Sequence, residues 1–251
     1  MKRLELIGLE GLGEVRAGDC LGALIDEACL RQGVGLVDGD VMVVAHKIVS
    51  KAEGRMVCLD EVEPSARAIE LARELDKEPA LVEVILRESR GIVRKGGRAL
   101  IVETHHGFIC ANAGIDQSNV GLNQVALLPK DPDASAREIR GEIYRRTGKN
   151  PGVIISDSFG RTWRVGTVDV AIGVSGLKPI KDERGTKDRY GYQLKAAVAA
   201  VADEIAAAAE LVMGKKDAVP VVIVRGCEIQ KEEGSVGELL RPEAEDLFRH
   251  F

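Results

Sequence analysis

The chain has no apolar run of membrane length, no Cys-x-x-Cys pair, no surplus of basic charge and a single tryptophan. Each absence removes a class of function. A bilayer-spanning helix needs about 20 consecutive apolar residues, and the sequence contains none. The opening MKRLELIGLEGLG carries Glu5 and Glu10 where the apolar segment of an export signal would have to lie. Five cysteines, Cys20, Cys29, Cys58, Cys110 and Cys227, are odd in number and scattered. That usage suits a reduced, cytoplasmic chain better than a disulfide framework, a zinc site or a redox pair. A formal net charge of −5 leaves no basic face with which to displace counterions from a nucleic-acid backbone. The expected partner is therefore a small molecule, with no role for nucleic acid or membrane.

What is present suits a globular enzyme. A length of 251 residues and a hydrophobic fraction of 45% are enough to bury a substantial core. Alternation at Arg3 to Leu6 reads as a strand, followed by a glycine loop, GLEGLG. Helical spacing covers Leu21 to Arg31, with Asp19 as cap and Gly33 as stop, and VMVVA then reads as a strand. Ser65 to Leu75 and Ala80 to Ser89 read as helices. Short apolar runs follow at Gly91 to Val93, Ala99 to Val102 and Phe108 to Ala111, with THHG as a hairpin turn. Ala134 to Thr147 is an amphipathic helix leading to a buried strand, Pro151 to Ile155.

Leu194, Val198, Val201, Ile205, Ala208 and Val212 form one stripe of what reads as the longest helix, with Lys195, Asp203 and Glu210 turned to water. Pro220 to Val224 is a final strand, and Pro242 to Phe248 reads as a terminal helix with proline in its first turn. Short strands interrupted by helices, without regular alternation, predict an α+β fold of mostly antiparallel sheets with packed helices. A single domain is expected, with room for two lobes that meet near Pro129 to Asp133.

The chemistry concentrates in GFICANAGIDQSN, residues 107 to 119, and VIISDSFGRTWRVG, residues 153 to 166. Each sets an aspartate beside small polar residues where an apolar run stops. Asp116 and Asp157, with the Ser158 hydroxyl, offer oxygen ligands to a hard cation such as magnesium or manganese, which normally shares its shell with substrate phosphates. The competing interpretation is that both aspartates cap turns or strand ends.

Arg161 and Arg164 offer planar donors for phosphate or carboxylate, or else plain surface charge. Trp163 reads as core. The glycine loop lacks a Walker lysine, and HKIVSK, with His46, Lys47 and Lys51, follows a strand at a natural place for phosphate contacts. Lys178 to Arg189, mixed in sign, reads as a mobile loop over the site.

GDVMVVAHKIVSKAEGR, GFICANAGIDQSN, PGVIISDSFGRTWRVGTVDVAIG and the following Gly-Tyr-Gln, taken in order along nearly the whole chain, resemble the coenzyme F-420-0:γ-glutamyl ligase family. The resemblance implies a cytoplasmic, GTP-dependent homodimer of α+β fold that adds L-glutamate to F-420-0 and then a second, γ-linked glutamate. It implies magnesium or manganese on Asp116, Asp157 and Ser158, with potassium assisting. Nucleotide contacts would fall on Leu12, Gly13, Glu14, Val15, His46, Lys47, Lys51 and Asn119, and from Met213 and Gly214 onwards. The implied chemistry runs through an acyl phosphate, with Arg161 and Arg164 as candidates to hold the anionic substrates. Two other classes suit the same residues: a metal-dependent nucleotide phosphohydrolase and a nucleotide-binding module without catalysis.

Overall fold

The computed structural model describes residues 2–248. Its centre is a five-stranded sheet built from β1 (Glu5–Leu9), β2 (Val41–Ala45), β8 (Gly152–Arg161), β9 (Arg164–Ser175) and β12 (Val221–Arg225), in the order β1-β12-β2-β8-β9. Only β2 and β8 run parallel, with Val41 beside Gly152 and Ala45 beside Ser156; the other neighbours are antiparallel. Both faces of this sheet are covered, which is why VMVVA is apolar throughout rather than alternating. Met42 and Val44 point to one face, where α1 (Leu21–Gln32) and α5 (Pro132–Thr147) supply Ile25, Ala28, Ile139 and Ile143. Val41 and Val43 point to the other, against Ile205, Ala206 and Ala209 of α6 (Val201–Met213). Full burial of one such side chain contributes roughly 1.5–3 kcal/mol.

Between β2 and β8 the chain leaves the sheet. A short α2 (His46–Ala52) leads to β3 (Met56–Cys58), which pairs with β7 (Gln124–Ala126). Enclosed between them lie α3 (Ala66–Leu75), α4 (Pro79–Arg87) and the antiparallel sheet of β4 (Ser89–Gly96), β5 (Ala99–Thr104) and β6 (Ile109–Ala111). These pack a separate core of Leu71, Leu75, Leu81, Ile85, Leu100 and Val102. The boundary is sharp: Leu127 belongs to this second core and Leu128 to the first. Helices packed on mostly antiparallel sheets make the fold α+β, as the sequence predicts.

Several elements depart from the sequence expectation. β1 extends through Gly8 and Leu9 into the glycine motif. The glycine at position 8 serves close packing rather than a turn, since a Cβ there would come within 2.8 Å of Val212 and Val219. Asp19 does not cap α1; its carboxylate accepts from the Arg16 N–H instead, and α1 begins without a side-chain cap. The second acidic motif is not at a strand end, since β8 runs through it to Arg161.

α6 begins only at Val201, so α5, at 16 residues, is the longest helix among the described residues. Leu194 and Val198 instead belong to an exposed arm in which β10 (Lys181–Asp182) pairs with β11 (Val198–Ala199). Glu183 and Leu194 N–H groups bond to Ala197 and Thr186 carbonyls along the arm, offering that backbone an alternative to the helix. The segment expected as a mobile loop over the site is thus part of a paired arm. Asp203 is not turned to water either: it accepts from the Ala171 N–H, and burial raises its pKa against that bond. The Pro242 to Phe248 helix reduces to a 3-10 turn at Glu243–Glu245. Trp163 is 79% exposed at the β8–β9 hairpin tip, because the hairpin reaches beyond both cores.

Candidate active site

Beyond the carboxyl end of β2, which is also the end at which the antiparallel β12 begins, lies a cavity of about 510 Å³. Backbone from Gly11 to Val15, just after β1, forms one wall; Leu12 and Val15 are buried and anchor it, while Gly11 and Gly13 take positive φ. The first turn of α2 forms the next wall, and the end of α6 with the loop to β12 forms a third. β8 crosses the floor, and the loop after β6 brings Asp116 and Asn119 from beside the second core.

The two aspartates lie beside consecutive residues of α2. Lys47 Nζ lies 2.9 Å from Asp116 Oδ2 and donates to Ser118 Oγ at 2.8 Å. His46 Nε2 lies 3.3 Å from Asp157 Oδ1 without hydrogen-bond geometry, and its Nδ1 is 3.4 Å from Ser50 Oγ. His46 and Asp157 are both buried. Burial pushes the Asp116 carboxyl up, but the Ser118 N–H at 2.6 Å and the Lys47 ammonium together outweigh it, so its pKa is lowered. Behind Asp157, burial first and the Asp157 charge second push the Cys110 thiol up to about 12.

A third carboxylate, Asp169 on β9, stands opposite Ser158 in the strand register and is 6% exposed. It accepts from the Ser156 and Ser158 hydroxyls. Lys215 Nζ donates to Ser158 Oγ at 2.6 Å, and its main-chain carbonyl accepts from Asn119 Nδ2 at 3.2 Å, tying the α6–β12 loop to the loop after β6. Lys51 pairs with Glu14 at 2.6 Å across the glycine wall.

The structure brings Leu12, Gly13, Glu14, Val15, His46, Lys47, Lys51, Asp116, Asn119, Asp157, Ser158, Met213 and Gly214 to this one cavity. It does not bring Arg161 and Arg164 there. They sit at the exposed hairpin tip, where Arg161 Nη2 donates to the Val165 carbonyl. Sequence reasoning missed Ser156 and Asp169, and placed Lys215 and Lys216 only within a stretch. The available signal was an aspartate interrupting the apolar VDVAIG, a costly substitution for a buried strand position unless it is paired.

Among the described residues no three His, Cys, Asp or Glu side chains gather as a metal cluster. Two carboxylates and a hydroxyl are nonetheless hard donors, suited to magnesium or manganese, which complete their shells with phosphate and water. They do not suit the nitrogen and sulfur preference of structural zinc. Among the described residues no helix is long and apolar enough to cross a membrane.

The family model for F420-0:Gamma-glutamyl ligase matches residues 11–226. The chain belongs to that family. It is 49% identical over 249 residues, covering 98% of this chain and 99% of the relative, to the Coenzyme F420:L-glutamate ligase of Methanothermobacter thermautotrophicus. The Coenzyme F420:L-glutamate ligase of Methanocaldococcus jannaschii is 45% identical over 250 residues, 99% of this chain and 98% of its own. That of Archaeoglobus fulgidus is 45% identical over 248 residues, 98% and 97% respectively. The family match opens on the glycine wall and closes just past β12, so it spans every segment that lines the cavity.

Proposed function

We propose that this ligase-family chain joins L-glutamate to coenzyme F420-0, and then a second glutamate in γ-linkage, using GTP. The observation that carries the reading is the cavity itself, which Asp116, Asp157 and Ser158 line together with Lys47, Lys51, Lys215 and Lys216, Lys47 pairing with Asp116 and Lys215 with Ser158. Anionic oxygens and cations set against each other around about 510 Å³ suit a metal-bound triphosphate better than an apolar ligand. Relatives matching over nearly the whole chain carry the ligase name.

A carboxylate is a poor electrophile because its charge is delocalised over both oxygens. Attack of that carboxylate on the γ-phosphorus forms an acyl phosphate and releases GDP. The glutamate amine then attacks the acyl carbon, phosphate leaves, and the amine loses a proton as the amide closes. Lys47, Lys51 and Lys215, which line the cavity, would bind phosphate oxygens, and the Gly11 to Val15 backbone would cradle the nucleotide. Asp116, Asp157 and Ser158 would hold magnesium or manganese, which supplies neutralisation of the phosphate charge; potassium belongs to the same reading. Homodimer formation belongs to it too, supported by the uncovered Val165, Tyr190 and Tyr192 on the hairpin and arm.

The test is product mass after incubation with GTP, manganese, F420-0 and glutamate. Gain of glutamate units supports the ligase. GTP loss without that gain points to a phosphohydrolase, and no GTP loss to a binding module. Asp157→Ala is expected to abolish the gain while circular dichroism stays unchanged; full activity in that variant removes Asp157 from the site.

A further inference from the structure

The hydroxyl of Ser158 has two neighbours of opposite kind. Lys215 Nζ, 2.6 Å away, can only donate, and Asp169 Oδ1, 2.5 Å away, accepts from the Ser158 hydroxyl. The proton of Ser158 is therefore spent on Asp169, and an oxygen lone pair is turned to the cavity, where it already solvates one cation. Asp169 is fixed from its other side, since Ser156 Oγ, 1% exposed, donates to Oδ2 at 3.0 Å. Among the described residues Asp169 forms no ion pair. A buried carboxylate served by two hydroxyls and no direct counter-ion is costly to keep for strand pairing alone, and β8 and β9 are already joined along Val153 to Arg161.

We propose that Asp169 is a positioning residue of the cation site: by taking the Ser158 proton it holds the Ser158 oxygen as a ligand for the divalent ion. Without that acceptor the hydroxyl can rotate and present its proton, which repels a cation. The inference rests on the metal-dependent reading above. It adds Asp169 as a residue whose role is exerted through the Ser158 hydroxyl that it accepts from.

The experiment measures protein-bound Mn²⁺ in the presence of GTP, by electron paramagnetic resonance of free Mn²⁺ with the Mn²⁺ bound by GTP alone subtracted from a protein-free titration, for wild type, Asp169→Ala, Ser158→Ala and the double variant. Asp169→Ala also removes a negative charge, a loss that persists whichever residue stands at 158. A positioning role requires more: at least tenfold weaker Mn²⁺ binding when Ser158 is present, and less than threefold further weakening when it is absent. Equal losses in both backgrounds, or a loss under twofold with Ser158 present, overturn the proposal. If Asp169→Ala does not yield folded protein by circular dichroism, Asp169→Asn and its double variant are subject to the same comparison. Wild type that binds no Mn²⁺ with GTP overturns the metal reading and this inference together, whereas normal wild-type binding with equal losses overturns this inference alone.

Discussion

Gly214→Ala is expected to damage the cavity through the backbone. Gly214 ends α6 with φ 55° and ψ 176°, a region essentially reserved for glycine, where a side chain costs about 1–3 kcal/mol. A Cβ built there would also meet the Asp217 carboxylate, which must then move. For a chain of this size each kcal/mol lowers Tm by roughly 2–4 °C, so a cost of about 2 kcal/mol predicts a drop of about 4–8 °C. Relief of the strain by a shift in φ would redirect Lys215, the next residue, breaking its contacts with Ser158 and Asn119. GTP affinity should fall together with Tm. Gly160→Ala is the internal control, because Gly160 has no positive φ and a Cβ added there would have nothing within 4 Å; its Tm should hold or rise slightly. Calorimetry and GTP titration on both variants decide it. If Gly214→Ala matched Gly160→Ala within about 1 °C and bound GTP normally, the backbone argument would be refuted.

Two further outcomes follow from titration. The Asp116 carboxyl has a folded pKa below its ordinary value, so its pairing with Lys47 stabilises the fold above the unfolded value of about 4 and is lost as pH falls through the folded one. The Tm difference between wild type and Lys47→Met should therefore shrink below about pH 4; a difference that stays constant with pH contradicts the pairing. With its thiol pushed up to about 12, Cys110 stays protonated, and so unreactive, at pH 8. Iodoacetamide should modify exposed Cys20 in the native protein and reach Cys110 only after denaturation. Equal rates at the two would show that Asp157 and its surroundings are not buried as described.

Much of the local structure was legible because it is written in local chemistry. Gly33 stops α1 in the left-handed conformation, Ser65 caps α3 by accepting from the Ala68 N–H, and the Thr104 to Gly107 turn joins β5 to β6. Where two local solutions competed, periodicity misled. The spacing of Leu194, Val198 and Val201 fits a helix, yet Val198 pairs with β10 and the Leu194 N–H bonds to the Thr186 carbonyl.

The sequence by itself determined the α+β class and the polar residues at which the apolar runs stop, because hydrophobic period and turn chemistry act over a few neighbouring residues. Only tertiary structure decided which of those residues meet. Asp116, Lys47, Asp157 and Lys215 are far apart along the chain, and they share a cavity because β2 and β8 lie side by side while the loop after β6 returns to α2. It also decided that Arg161 and Arg164, only a few residues from Asp157, lie outside the cavity, since a strand carries its chain about 3.3 Å per residue away from the floor. Asp169 became visible for the same reason: its meaning lies in facing Ser158 across a strand pair, a relation that exists only in the register of the folded sheet.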